Sequence, residues 1–186
     1  SPLGSLSGFT MSDADRYELH IAGWLHDCGK VTTPEYVVDK STKLETIFDR
    51  IELVDLRFDV LRQSAQIKYL EACDGADEAT RTAHKATYRD TVATLGEEQE
   101  FVRRFNVGGE FMPDEAQARV RQIGTRAMPL GSATSTLMTD EEVYNLCISR
   151  GTLTAEERAI INNHIVATIK MLESLPYPKH LRRVPE

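Results

Sequence analysis

Apolar and polar positions along this chain alternate with a helical period almost from end to end. In MSDADRYELHIAGWLHDCG (11–29), Tyr17, Ile21, Trp24, Leu25 and Cys28 recur at spacings of three and four, which predicts a helix with one buried face. Ser12 stands three residues before Asp15, a capping box in which Asp replaces the usual Glu or Gln. Gly29 is placed to terminate this helix, and Pro34 makes continuation unfavourable. From Lys43, the residues Leu44, Ile47, Phe48, Ile51, Val54, Phe58, Leu61 and Ile67 predict a long amphipathic helix that breaks at Gly75. A second long, more polar helix follows, with Ala79, Ala83, Val92 and Leu95 as seam residues, and runs to Asn106. Two consecutive helices with so short a joint predict an antiparallel hairpin. Its role is either scaffold and core, or a protruding arm for dimerisation or signal input.

Beyond the hairpin, a glycine-containing break (106–112) leads to a short helix after Pro113 and then to an irregular connector over 125–138. Thr139 and Glu142 have capping-box spacing, and the helix they open ends at Gly151. Thr154 and Glu157 repeat the signal for a last helix that aligns Ile161, Ile165, Thr168 and Leu172 on one face. The tail PYPKHLRRVPE is proline-rich and basic. With no convincing strand, repeat or low-complexity tract, the expected class is all-α.

Composition narrows the function classes. The 186 residues suit one domain, or one domain with a large insertion, and 41% hydrophobic with 27% charged residues reads as globular. A formal net charge of −7 argues against a surface for nucleic-acid polymers. It leaves open a small phosphate ligand, because a metal ion or one basic residue can reverse the field inside a pocket. No apolar run approaches membrane-spanning length, and SPLGSLSGFT lacks the features of a signal peptide. Cys28, Cys73 and Cys147 form no C-x-x-C pair, so a reducing compartment, most simply the cytoplasm, is expected.

The candidate chemistry sits in LHDCGK (25–30). Imidazole and carboxylate are common ligands of divalent metals, and a carboxylate can bridge two ions. Lys30 lies one turn beyond His26 and Asp27, where it could meet a substrate phosphate, or else simply complement a helix C-terminus. His164, between Ile161 and Ile165, reads as a core histidine when taken alone.

Taken together, His26, Asp27, Gly29 and Lys30, then Pro34, Glu35 and Lys40, then Leu153, Thr154, Glu156, Glu157 and His164 resemble the HD-GYP branch of the HD-domain metal-dependent phosphohydrolases. The resemblance covers residues 12–43 and 139–186. It implies a helical domain with divalent metals, iron or manganese, hydrolysing the bacterial signalling molecule cyclic di-GMP with hydroxide generated at the metal. Carried over by residue, His26, Asp27 and His164 become metal ligands, with Asp27 bridging and therefore catalytic. Lys30 becomes the catalytic and substrate-binding contact to the scissile phosphate. The chain departs from the family pattern in three ways. An upstream ligand histidine, a downstream paired histidine, a final ligand aspartate and the GYP segment have no counterpart, and 44–138 separates blocks that normally adjoin. The expected organisation is therefore 1–42 and 139–186 as a partial HD core, with 43–138 as a helical-hairpin insertion.

That pattern implies a fragment of a longer phosphodiesterase, inactive by itself, whose uncovered apolar faces drive homo-oligomer formation. The alternatives are a non-catalytic helical signalling or dimerisation module with remnant metal residues, and an HD phosphohydrolase for another nucleotide.

Overall fold

The computed structural model describes residues 10–129 and 135–185. The expectations for the first nine residues, and for 130–134 within the connector, lie outside the described residues. In chain order the elements are Asp13–Leu25 (α1), a 3-10 turn at Cys28–Thr32, Glu35–Val38 (α2), Ile51–Cys73 (α3), Glu78–Asn106 (α4) and Asp114–Gly124 (α5). After two short strands, Ala127–Met128 (β1) and Ser135–Thr136 (β2), come Asp140–Leu146 (α6), Ala155–Asn162 (α7), His164–Glu173 (α8) and a 3-10 turn at Lys179–Leu181. The all-α expectation holds: the one sheet among the described residues is an antiparallel pair, with Ala127 opposite Thr136 and Met128 opposite Ser135. Among the described residues no helix is long and apolar enough to cross a membrane. The chain divides into two compact units, Ser1–Val38 with Ala155–Glu186, and Asp39–Thr154.

In the first unit the capping box at Ser12 forms as expected: the Asp15 amide donates to the Ser12 hydroxyl at 3.2 Å, and the Ser12 amide donates to the Asp15 carboxylate at 3.1 Å. The predicted buried face of α1 follows only in part: Ile21, Leu25 and Cys28 are half-buried, while the two aromatic residues are not. Among the described residues Trp24 is 77% exposed and Tyr17 52%. Gly29 is not the terminator either; α1 ends at Leu25, four residues earlier. The predicted last helix is two helices, broken at Asn163. Losing register there leaves Thr168 and Leu172 buried while Ile165 turns outward, 54% exposed. The C-terminal segment folds back on α1, where the Arg183 amide donates to the Glu18 carboxylate at 2.9 Å. The Arg183 guanidinium reaches Asp15 at 2.8 Å and Glu18 at 2.6 Å.

The second unit is built on the predicted hairpin, α3 packed against α4 and joined through Gly75, whose φ of 68° suits a residue without Cβ. Its core gathers Leu44, Val54 and Phe58 with Leu95, Val102 and Val120. The first hairpin helix starts at Ile51, later than the pattern from Lys43 predicts. The Glu45 carboxylate accepts from the Ser41 amide at 2.6 Å and the Thr42 amide at 3.2 Å, while the Thr42 hydroxyl donates to Asp49. These side-chain bonds offer the backbone an alternative to a helical turn. Ile47 and Phe48 consequently lie on an exposed loop, and Ile67 lies on the outer side of α3. Phe58 is fully buried in the core. The capping box at Thr139 and Glu142 forms as expected, and the Glu142 carboxylate also takes a forked ion pair from Arg57 at 2.7 and 3.2 Å.

Candidate metal and phosphate site

The first unit draws together residues that are distant in sequence through one close approach. The Gly29 amide donates to the Thr168 hydroxyl at 2.9 Å, laying the Cys28–Thr32 turn directly on α8. A Cβ at position 29 would stand 2.2 Å from the His164 carbonyl oxygen and 2.5 Å from the Thr168 amide nitrogen. Only glycine permits that approach. Its consequence is that Asp27, two residues upstream, faces His164, the first residue of α8.

The Asp27 carboxylate is the hub. Its Oδ2 accepts from the Lys30 ammonium at 2.7 Å and lies 3.2 Å from His26 Nε2. Its Oδ1 lies 3.2 Å from His164 Nε2. All four residues carried over from the sequence pattern thus meet at one carboxylate. The Lys30 hydrogen bond holds the Asp27 carboxyl below the usual carboxylate range; partial burial pushes the other way, and the charges of His26, Lys30 and His164 add to the lowering.

Both imidazoles are oriented in the same manner. His26 Nδ1 lies 2.6 Å from the Gly23 carbonyl oxygen, and His164 Nδ1 bonds the Ile161 carbonyl, each three residues back. A backbone carbonyl only accepts, so Nδ1 carries the proton in both rings. In the neutral ring Nε2 then presents a lone pair to a carboxylate oxygen that also only accepts. A positive charge, proton or metal ion, is needed between them. An imidazole bonded through one nitrogen to a carbonyl, with the other nitrogen free, is the arrangement of metal-ligating histidines. The nitrogen–oxygen separations also match two ligands of one ion, which at bond lengths of about 2.0–2.2 Å stand about 3 Å apart.

The donors fit a divalent metal in kind and tautomer, but they are too few to close its shell. Among the described residues, no group of three or more His, Cys, Asp or Glu side chains is arranged to hold a metal ion. Each oxygen of Asp27 pairs with one histidine, and Oδ2 already holds the Lys30 ammonium. His26 is largely open at 68% exposure, whereas His164 is sheltered at 14%. Lys40, also part of the sequence pattern, belongs to the second unit, where its ammonium donates to Asn145 Oδ1 at 3.1 Å. The sequence pattern did not single out Thr168 as a site residue; no local spacing announces its pairing with Gly29 across 139 positions.

Residues 130–186 match the family model described as HD domain, which supports an HD-domain phosphohydrolase, a class generally dependent on divalent metals. The matched span contains His164, while His26, Asp27 and Lys30 lie outside it. No curated protein and no solved structure matches the chain.

Proposed function

We propose that the chain is the metal-binding part of an HD-domain phosphodiesterase of the HD-GYP type, acting on cyclic di-GMP. The observation that carries this reading is the convergence of two Nε2 lone pairs on the two oxygens of one carboxylate, with a lysine ammonium on the same group. His26, Asp27 and His164 would hold the metal, with Asp27 shared. A bound divalent ion supplies Lewis acidity toward a phosphoryl oxygen and lowers the pKa of water. The rest falls to the chain's own residues. The carbonyls of Gly23 and Ile161 keep each Nδ1 protonated and each Nε2 free. Asp27 stays ionised under the Lys30 hydrogen bond. Lys30, whose one ion pair among the described residues is with that carboxylate, would receive a phosphate oxygen.

With two donors per ion, iron or manganese binds weakly to this chain alone, since each missing ligand or supporting contact costs affinity steeply. The test is metal content per chain on protein purified without chelators and titrated with manganese(II) or iron(II), beside the His26→Ala, Asp27→Ala variant, followed by hydrolysis assays on cyclic di-GMP. Binding lost in the variant supports the reading. Equal uptake by both proteins, or none by either at millimolar metal, overturns the metal assignment for this chain. Metal binding with hydrolysis of a different nucleotide retains the HD phosphohydrolase and discards the cyclic di-GMP substrate. Self-association is part of the same proposal, because Trp24, Val31 and Ile165 leave apolar surface uncovered on this unit.

A further inference from the structure

The second unit holds a cavity of about 630 Å³ between α3, α4 and β1, within the ~300–1,000 Å³ range of small-molecule sites. Its origin is legible in the facing helix rows. Ser64 and Ala65 on α3 stand across from Thr87 and Thr91 on α4, so small side chains leave space where the hairpin elsewhere closes on Phe58 and Val102. Leu95 and Met128, both buried, give the cavity an apolar lining. Tyr69 and Tyr88 also line it, with their rings stacked at 5.1 Å between centroids and 15° between planes.

The polar lining is mostly neutral hydroxyls, and its nitrogen-bearing side chains are Lys68, His84 and Arg126. Lys68 and His84 both line the cavity, and among the described residues neither side chain has a hydrogen bond or ion pair. The third basic residue, Arg126, is paired with Glu98 at 2.6 Å, yet its buried Nε–H has no acceptor. No Asp or Glu lines this cavity. In a chain of net charge −7 the lining thus offers an anion one unpaired ammonium, Lys68, with Arg126 offset by Glu98 and with Asp90 lining the adjoining hollow that shares Thr87, Thr91 and Arg126.

We infer that this cavity binds a small anion carrying a planar apolar ring. The ring lies against the tyrosine pair and the leucine and methionine lining, and the anionic group meets Lys68, His84 and the unsatisfied Arg126 Nε–H. This is separate from the Asp27 site in residues and in chemistry, and it stands whether or not the phosphodiesterase reading does.

The test uses the full, isotope-labelled chain at low salt, with naphthalene sulfonate as probe and naphthol as its uncharged counterpart. Amide resonances of Ser64–Ala72 and His84–Thr91 should shift with the sulfonate, which should bind about tenfold more tightly than naphthol, as expected for a hydrogen bond to a charged group. The exposed substitution Lys68→Ala, combined with His84→Ala, should abolish that preference without altering the rest of the spectrum. Ala65→Phe, which fills the space, should abolish binding of both probes. Equal affinity for the two probes, shifts centred on Asp27 and His164, or no binding at millimolar probe would each overturn the assignment.

Discussion

Replacing Gly29 with alanine would put a methyl carbon 2.2 Å from the His164 carbonyl oxygen, 2.5 Å from the Thr168 amide nitrogen and 2.5 Å from the Thr168 hydroxyl. Two of those three atoms are backbone, so no rotamer change relieves the overlap; the Cys28–Thr32 turn must lift from α8. Overpacking in a well-packed site costs roughly 1–3 kcal/mol and occasionally more. Lifting the turn also breaks the Gly29 amide bond to Thr168, and a buried donor left unpaired costs about 1–3 kcal/mol. The expected loss is therefore about 2–6 kcal/mol for the first unit. Trp24, the single tryptophan, lies in this unit, so its fluorescence through a urea titration reads the right transition. Gly23→Ala is the control: nothing lies within 4 Å of its added carbon, and in the last turn of α1 it should gain at most about 1 kcal/mol. Manganese affinity should fall in Gly29→Ala and persist in Gly23→Ala, because only the former separates Asp27 from His164. An unchanged urea midpoint for Gly29→Ala would refute the close approach on which the site depends.

Other expectations concern the second unit and the assembly. Lys43 is buried with its ammonium on the Leu146 and Ile148 carbonyls and, among the described residues, in no ion pair, and desolvation lowers its pKa from 10.5 to about 8. Below that range both folded and unfolded chains carry the charge, and the folded one bears its full desolvation cost. Between about 8 and 10.5 the unfolded chain binds more protons, so stability should rise with pH by up to about 3 kcal/mol. Lys43→Met should lack that rise in paired urea titrations; an identical pH slope would count against it. Arg57→Ala strands the Glu142 carboxylate, 3% exposed, and should cost about 3–5 kcal/mol at neutral pH. Burial raises the Glu142 pKa, but the Arg57 hydrogen bond, the Thr139 amide and the Arg57 and Arg50 charges together bring it below the ordinary value. The pair's contribution is thus present above that ordinary value and lost as pH falls through the lowered one. The gap between wild type and Arg57→Ala should narrow accordingly in acid. Sedimentation velocity should show self-association that Trp24→Gln weakens, and a sharply monomeric profile would contradict it.

Where local chemistry decides structure, the sequence was a good guide. Ser12 with Asp15, and Thr139 with Glu142, formed the caps their spacing predicts, and Gly75 turned the hairpin where a residue without Cβ is cheapest. The pattern failed where distant partners decide. Leu44 keeps the apolar periodicity of α3 but is held in a loop by Glu45 and Asp49 side chains and by Asn106, whose Oδ1 accepts from the Leu44 amide at 2.9 Å. Trp24 has the spacing of a core residue, yet among the described residues it meets the His20 ring and stays 77% exposed. His26, Asp27 and Lys30 were legible as a group because an imidazole, a carboxylate and an ammonium fall within the short stretch 26–30. Their meeting with His164 depends on Gly29 lying against α8, a long-range contact that no periodicity encodes.

The division of the chain bears on how that meeting is reached during folding. Gly29 and Thr168 are 139 positions apart, and an open chain of that length must be closed before their bond can form. Within the second unit, however, the Thr152 hydroxyl donates to the Lys40 carbonyl at 3.2 Å, across 112 positions. Once that clasp is shut, the loop left to close is the difference, roughly 27 residues, and the entropy of closure falls by about 1.5 kcal/mol. The Asp39–Thr154 unit therefore acts as a splint whose folding shortens the search for the histidine-carboxylate pairing. Lesions deep in its core, far from any ligand, should slow the assembly of the metal site without touching a single one of its atoms.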